Sequence, residues 1–212
     1  MYFLIWGAAL LAAFFLFWNF YFLRNPDKNI PSQKNSVVSP ADGLIVRIVP
    51  FNFSTTKKKV DKGMWGNVRF YTHDVAQSGY FIVIRLHLYD IHYQRSPVSG
   101  IVVRQVYTKG KFLNAVVDAE ALTATFENEK NEILIEEMIG KRKVRVKIIQ
   151  VAGFAARRIV SYVHEKQKIE KGELLGLINL GSQVILVVPK LNLQVKEGDR
   201  TSGGETLIGM VK

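Results

Sequence analysis

The chain has 212 residues, a formal net charge of +11 and no cysteine. The lack of cysteine excludes a disulfide framework, a thiolate zinc site and catalysis by a cysteine nucleophile. The length suits one domain with a short additional element. All 29 lysines and arginines follow residue 23, so the basic excess belongs to the part of the chain beyond the N-terminal segment.

The N-terminal segment, residues 2–23, carries no charge and is rich in Phe, Leu, Ala and Trp. A helix of this length would span about 33 Å at about 1.5 Å per residue, which is enough to cross a bilayer. A cleaved signal peptide fits poorly because the segment has no basic start and no small-residue cleavage site. A buried core helix is the alternative. We predict a transmembrane anchor over residues 1–23.

Basic residues follow the apolar segment at once, at Arg24, Lys28 and Lys34. The positive-inside rule therefore predicts that the rest of the chain lies on the cytoplasmic side of the membrane. Residues 24–36 are polar, contain two prolines and are predicted to be a linker. A basic domain held at this leaflet would be attracted to anionic lipid, whereas nucleic acid is the other usual partner of such a domain.

Short β-branched segments bounded by glycine, proline or charged turns dominate residues 37–212. The predicted strands are residues 44–49, 80–88, 101–103, 133–135, 144–149 and 184–188. Helical patterns are limited to residues 114–122 and 154–160. The pattern predicts a mainly β domain (α+β) with few short helices.

Two pairs of segments resemble each other. Residues 39–46 and 96–103 share a Ser-Pro turn, a glycine and a strand, and residues 163–173 match residues 195–205 through a Gly-Glu turn. Such β-turn-β units build a folded-over β-sandwich of the biotinyl/lipoyl hybrid type.

The first pair of segments differs at one informative position, where one copy has Asp42 and the other has Ser99. The turn therefore does not demand a carboxylate. An aspartate that only caps its own turn remains the alternative to a functional Asp42.

The four histidines are His73, His87, His92 and His164. His87 and His92 lie five residues apart, which places them on opposite faces of a strand. The His-x-His and Glu-x-x-His spacings of metal ligands do not occur, so no metal site is predicted. His92 ends a strand and enters a turn, where scaffolds present catalytic groups. A structural histidine is the alternative.

Four motifs occur in the order found in phosphatidylserine decarboxylases. They are Ser-Pro-Ala-Asp-Gly at 39–43, the strand ending in His92 with Pro97 and Gly100 after it, Ala-Gly-Phe-Ala-Ala-Arg-Arg-Ile at 152–159, and Leu-Gly-Ser at 180–182. The chain resembles the short prokaryotic subclass of that family over residues 37–212, and the apolar N-terminus fits as well.

This resemblance implies an enzyme whose pyruvoyl group is made from its own backbone. The decarboxylase domain would comprise residues 37–212, and Ser182 would attack the Gly181 carbonyl within it. The protein would thereby be cut into chains 1–181 and 182–212, and Ser182 would become the pyruvoyl N-terminus of the second chain. Asp42 would orient and charge-stabilise a base, and His92 would transfer protons. The implied reaction is the decarboxylation of phosphatidylserine to phosphatidylethanolamine through a Schiff base, with no external cofactor and no metal.

The chain departs from the longer members of that family at two positions. Gln183 stands where they carry threonine, and Arg95 stands where they carry a second histidine. Arg157 and Arg158 are candidates for binding the lipid phosphate, because a guanidinium matches a phosphate with two hydrogen bonds. Surface arginines at a helix end are the alternative. The sequence does not distinguish diacyl from archaeal ether lipid.

The competing function is a non-enzymatic membrane adaptor with a lipoyl-like hybrid domain. The long helical heptads of such adaptors and the hairpin-tip lysine of a lipoyl carrier are not seen in the sequence. Nucleic-acid binding leaves the anchor unexplained. The expected partners are a serine phospholipid, an anionic membrane surface and the two self-cleaved chains for each other, with a homo-oligomer left open.

Overall fold

The structure, a computed structural model, describes residues 2–53, 64–113, 122–139, 142–154, 158–179 and 181–211. Helices are few in these residues: α1 Tyr2–Leu16, a π-helical turn Phe17–Phe22, α2 Met64–Thr72 and α3 Thr123–Glu127. Strands are many: β1 Ser36–Val38, β2 Gly43–Asn52, β3 Ser78–Arg85, β4 Tyr93–Arg95, β5 Gly100–Thr108, β6 Lys130–Ile139, β7 Arg142–Val151, β8 Ile159–Ser161, β9 Lys168–Ile169, β10 Leu174–Ile178, β11 Gln183–Pro189, β12 Asn192–Leu193, β13 Arg200–Thr201 and β14 Leu207–Met210. The mainly β prediction is confirmed.

Helix α1 and the π-helical turn form one apolar helix, Tyr2–Phe22, of 21 residues. It is long and apolar enough to cross a membrane, and none of the residues of α1 is buried. Phe22, at its end, is the one buried residue of the π-helical turn. The helix is therefore not a buried core helix, and it fits the predicted anchor.

An eight-stranded sheet forms the body of the domain, in the order β13-β2-β3-β11-β7-β6-β5-β9 with antiparallel neighbours. Strand β11 is central, between β3 and β7. Because side chains alternate along a strand, its even-numbered and odd-numbered residues enter two different apolar clusters. Val184, Leu186 and Val188 belong to the larger cluster, and Ile185 and Val187 to the smaller one.

Two three-stranded sheets complete the domain, in the orders β1-β14-β12 and β4-β10-β8. All six strands predicted from sequence are confirmed, although the one expected over 80–88 ends at Arg85. The helix expected over 154–160 is wrong at its end, where Ile159–Ser161 pairs with β10 as β8, while residues 155–157 lie outside the described residues. Most of the other expected helix, residues 114–121, lies outside the described residues. Helix α2 was not predicted.

The sequence repeat is also a repeat of hydrogen bonds. Ser39 Oγ donates to the Ala41 carbonyl at 2.8 Å, and Ser96 Oγ donates to the Val98 carbonyl at 2.6 Å. The carbonyl oxygens of the same two serines each accept a glycine N–H from the second pair of repeats, at 2.7 and 2.8 Å. The predicted repeat of β units is therefore confirmed. Their likeness to the lipoyl hybrid type stays a prediction.

The predicted linker packs against the point where these repeats meet. Ile30 lies over two equivalent glycines, Gly172 and Gly204, which have φ of +85° and +83°. A Cβ on Gly172 would lie 2.4 Å from Ile30 Cδ1, and one on Gly204 would lie 2.8 Å from it. The glycines leave room for the isoleucine, so the segment after the apolar helix is fixed to the domain.

Candidate active site

The candidate residues lie around one end of the eight-stranded sheet. Gln183 begins β11 and pairs with Arg85 at the end of β3, and Arg85 in turn pairs with Leu44 near the start of β2. Because these residues form one row across three strands, the residues just before β11 and β2 meet at the same end of the sheet. Those residues are Ser182 and Asp42.

Ser182 is fully buried, and its Oγ has no hydrogen-bond partner among the described residues. Its carbonyl accepts a hydrogen bond from Leu86 N at 3.0 Å. The residue before it, Gly181, has φ of +64°, which is the left-handed conformation that favours glycine. A buried hydroxyl without a partner is costly, so such a group in a native structure requires a specific explanation, and a catalytic role is one of them.

His92 is also fully buried, and its Nε2 likewise has no hydrogen-bond partner among the described residues. Its Nδ1 lies 2.8 Å from the Asp90 carbonyl, which can only accept, so Nδ1 carries the proton and Nε2 holds a free lone pair. Burial lowers the pKa of His92 below its ordinary value, and the carbonyl and charge of Asp90 act in the opposite direction. His92 is therefore neutral and able to accept a proton through Nε2.

Asp90 is a residue that sequence reasoning missed. Its carboxylate accepts a hydrogen bond from His87 N at 2.7 Å and another from the Arg200 guanidinium, while its carbonyl binds His92. The side chain is 4% exposed. Asp90 therefore fixes the loop that holds His92, which lies directly before β4 and does not end a strand as expected. The available signal was an acid two residues before a candidate histidine.

Asp42 has a turn contact that its counterpart in the repeat shares. Its Oδ1 accepts a hydrogen bond from Gly203 N at 2.8 Å, and Ser99 Oγ accepts one from Lys171 N at 3.0 Å at the equivalent position. The turn role thus needs only an acceptor. What distinguishes Asp42 is its charge, which the ammonium group of Lys28 faces at 3.3 Å.

The structure brings some of the predicted residues closer than others. The His92 carbonyl accepts a hydrogen bond from Ile178 N at 3.3 Å, four residues before Ser182 along the chain. In the described ranges, Asp42 makes no hydrogen bond with His92 or Ser182. Arg157 lies outside the described residues, and Arg158 is exposed on the approach to β8.

The two positions that depart from the longer relatives are both occupied by well-anchored side chains. Arg95 donates to the Gly172 carbonyl at 2.9 Å and to Asn25 Oδ1 at 2.6 Å, so it points toward the segment after the apolar helix. Gln183 is buried and accepts a hydrogen bond from Thr125 Oγ1 at 2.7 Å. Within the part of the chain that is described, no group of three His, Asp or Glu side chains is placed to hold a metal ion.

Known proteins match nearly the whole chain in sequence. A family model described as phosphatidylserine decarboxylase matches residues 13–209. The phosphatidylserine decarboxylase proenzyme of Geotalea uraniireducens (strain Rf4) is 37% identical over 205 residues, which cover 95% of this chain and 84% of that protein. The proenzymes of Geobacter sulfurreducens and Wolbachia pipientis wMel are 34% and 33% identical, over 98% and 96% of this chain and 84% and 80% of their own lengths.

Proposed function

The chain belongs to the phosphatidylserine decarboxylase family, and from this membership we propose that it is a self-cleaving, membrane-anchored proenzyme. It would cut itself between Gly181 and Ser182 and use the resulting pyruvoyl group to convert phosphatidylserine into phosphatidylethanolamine. The observation that carries the proposal is the buried Oγ of Ser182, which has no partner among the described residues and directly follows a left-handed Gly181. That arrangement suits an internal nucleophile next to the bond it attacks.

Self-cleavage would begin with attack of Ser182 Oγ on the Gly181 carbonyl carbon. The peptide C–N bond breaks and an ester forms, so the acyl group moves from nitrogen to oxygen. Removal of the Ser182 α-proton then expels the Gly181 carboxylate and leaves dehydroalanine. Water hydrolyses the imine tautomer to a pyruvoyl group and ammonia. The products are chains 1–181 and 182–212.

His92 would be the base for these proton transfers. Its Nδ1–H is held by the Asp90 carbonyl, which leaves the Nε2 lone pair as the acceptor, and burial keeps the ring neutral. We assign Asp42 the task of charge-stabilising and orienting this base. Because the Asp42 carboxylate is bonded to Lys28 and Gly203, its effect on His92 would be electrostatic.

In turnover, the pyruvoyl carbonyl would supply the electrophile that forms a Schiff base with the substrate amine and takes up the electron pair released with CO2. His92 is the residue proposed to return a proton to the α-carbon. The proposal includes no external cofactor and no metal. The competing function, a non-enzymatic adaptor, does not account for the family match along residues 13–209.

The substrate is a membrane lipid, and the N-terminal apolar helix would hold the domain at its surface on the cytoplasmic side. The net charge of +11 would favour an anionic leaflet. We keep Arg157 and Arg158 as candidate ligands of the lipid phosphate, and the exposure of Arg158 is compatible with that task.

The two chains would remain associated after the cut. Strand β11, which would open the smaller chain, pairs with β3 along its full length and with β7 over five residues. Its residues from Val184 to Val188 are fully buried. Cleavage between Gly181 and Ser182, just before β11, breaks one covalent bond and leaves the strand pairing and apolar contacts of β11 in place.

Intact-mass analysis of the full-length chain, purified in detergent, tests the proposal. The preparation should contain two chains divided between Gly181 and Ser182, and a carbonyl reagent such as phenylhydrazine should label only the smaller one. Ser182→Ala should give one uncleaved chain without activity on phosphatidylserine vesicles. Ser99→Ala, the control in the other repeat, should be cleaved normally. A single intact chain that nevertheless decarboxylates phosphatidylserine would overturn the proposal.

A further inference from the structure

We infer that the end of the membrane-spanning helix forms one wall of the active site, with Phe22 acting as a positioning residue for His92. This inference rests on the proposed function. It assigns to the apolar helix a task beyond attachment to the bilayer, because the contact joins the last residue of the helix to the proposed base.

The contact between Phe22 and His92 is close. The ring centroids lie 4.2 Å apart with an angle of 39° between the planes, and both side chains are fully buried. Trp18 stacks on Phe22 at 4.6 Å, so the phenyl ring contacts the indole as well as the tilted imidazole. Phe20, in the same turn, is 74% exposed. The helix end therefore buries Phe22 at the site and leaves Phe20 exposed.

The geometry of the helix end explains this selection. Leu23 N donates to the Trp18 carbonyl at 3.0 Å, five residues earlier, which is the hydrogen bond of a π-helical turn. Such turns are wider than α-helical turns and are frequent at functional sites. The wide turn directs Phe22 toward the domain while the preceding fifteen residues of α1 remain exposed.

Polar contacts directly after the helix hold this arrangement. The Arg24 guanidinium donates to the Tyr89 carbonyl, in the loop that leads to His92. Asn25 Oδ1 accepts a hydrogen bond from Arg95 at 2.6 Å, on the other side of His92 along the chain. The helix end is therefore bonded on both sides of the histidine loop, and Phe22 cannot move away from His92 without breaking these bonds.

The covering ring has a chemical consequence for His92. Phe22 contributes to the burial that keeps the imidazole neutral, while the charged groups acting on it are Asp90, which raises its pKa, and Arg24, which lowers it. Removal of the phenyl ring admits water to the imidazole and raises its pKa. A base with a higher pKa becomes protonated, and therefore inactive, at a higher pH.

The test compares Phe22→Ala with Phe20→Ala in the full-length chain in vesicles that contain phosphatidylserine. In Phe22→Ala, the acidic limb of the pH–rate profile for self-cleavage should move to higher pH. Phe20→Ala should keep the wild-type profile. Phe22→Tyr, which retains the ring, should restore it. The His92 pKa read by NMR in the uncleaved Ser182→Ala background should move in the same direction.

Two outcomes separate this inference from the function on which it rests. If wild type is cleaved but Phe22→Ala has the pH profile and the His92 pKa of Phe20→Ala, the inference is overturned and the proposed function stands. If wild type retains the Gly181–Ser182 bond, the proposed function is overturned together with the catalytic meaning of Phe22. Should Phe22→Ala fail to fold, Phe22→Val leaves part of the phenyl volume empty over the imidazole and should raise the His92 pKa, and an unchanged pKa in that variant also overturns the inference.

Discussion

Lys28 Nζ lies 3.3 Å from Asp42 Oδ1, so the predicted linker supplies the cation beside a candidate catalytic acid. The lysine side chain is 6% exposed, and it also donates to Ser202 Oγ at 2.7 Å and faces the Glu205 carboxylate at 3.6 Å. Glu205 in turn accepts a hydrogen bond from Asn29 N at 2.8 Å. The polar segment after the apolar helix is thus bonded to the turn that carries Asp42.

Lys28→Met should impair both folding and self-cleavage, because it removes a charge-assisted hydrogen bond and leaves Asp42 with a backbone donor alone. We expect the free energy of unfolding to fall by about 1.5–3 kcal/mol. Self-cleavage should slow by about tenfold, which corresponds to about 1.4 kcal/mol in the barrier. The rate is measured by the appearance of chain 182–212 after synthesis.

The matched control for Lys28 is Lys34→Met, which removes an exposed lysine from the same segment. It should be cleaved at the wild-type rate. In a double-mutant cycle, Lys28→Met and Asp42→Asn should be less than additive because they remove the same interaction. Equal cleavage rates in Lys28→Met and Lys34→Met would contradict a catalytic role for this pair.

Gly181→Ala should slow self-cleavage through the backbone. An alanine at φ of +64° costs about 1–2 kcal/mol, and relaxation of that strain would turn the Gly181 carbonyl away from Ser182 Oγ. Gly198→Ala is the matched control, because Gly198 has φ of +91° and open space around it. Both variants should lose similar stability, but only Gly181→Ala should accumulate uncleaved chain on a denaturing gel. Rapid cleavage of Gly181→Ala would show that its conformation is not required.

Two adjacent glutamates of β6 should have opposite effects on stability. Burial raises the pKa of Glu137 to about 7, with Lys171 acting against the shift and Glu170 with it. The folded state thus favours the protonated form, and this contribution is complete below about pH 4.5 and lost as the pH rises through 7. Hydrogen bonds from Lys143 and Arg145 hold the pKa of Glu136 below its ordinary value, so its contribution is present at neutral pH.

Glu137→Gln should therefore raise the melting temperature at pH 8 and have little effect at pH 4.5, since the amide is neutral at every pH. Glu136→Gln should lower it at pH 8, because the neutral amide loses the attraction of two cations. Both are measured by calorimetry in the uncleaved Ser182→Ala background, which keeps one chain. At each pH, Glu137→Gln is compared with its parent. A smaller gain in melting temperature at pH 8 than at pH 4.5 would refute the assignment.

Lys147 should be the most important lysine of the sheet for stability. It is 1% exposed and faces two carboxylates, Asp74 at 2.8 Å and Glu132 at 3.1 Å. Lys147→Met leaves the buried Glu132 without its ion-pair partner and Asp74 with Arg104 alone, which should cost about 3–5 kcal/mol. Lys143→Met on the same strand removes a lysine that is 68% exposed and should cost at most about 1 kcal/mol. Urea unfolding of the uncleaved background measures both, and equal losses would contradict the prediction.

Short-range patterns in the sequence predicted much of the sheet. Alternation and β-branching located the strand cores, because β2, β3, β6, β7 and β11 each bury several such residues, although in β5 only Val102 is buried. The same reasoning failed at Ile159–Ser161, where an apolar pattern that suits a helix is held as a strand by pairing with β10. Tertiary pairing overrode local preference there.

The site was predictable where ordered motifs identify residues, and not where contacts join distant parts of the chain. Ser182 and His92 were found in this way, and both are buried with an unpartnered polar atom. Phe22 meets His92 across seventy residues, and no periodicity connects them. Residues 24–36 were predicted to be a linker because their composition is polar, although the ammonium group of Lys28 lies against Asp42.

Because β11 is a central strand, the proposed cleavage would make unfolding of the protein difficult to reverse. Before cleavage, the chain can reach its native topology as one polymer, with β11 threaded between β3 and β7 by intramolecular closure. After cleavage, the same topology would require a short separate peptide to find the middle of a sheet, at a rate that falls with dilution. The uncleaved chain can therefore fold by itself, whereas the mature enzyme could not readily regain its structure once its two chains had unfolded.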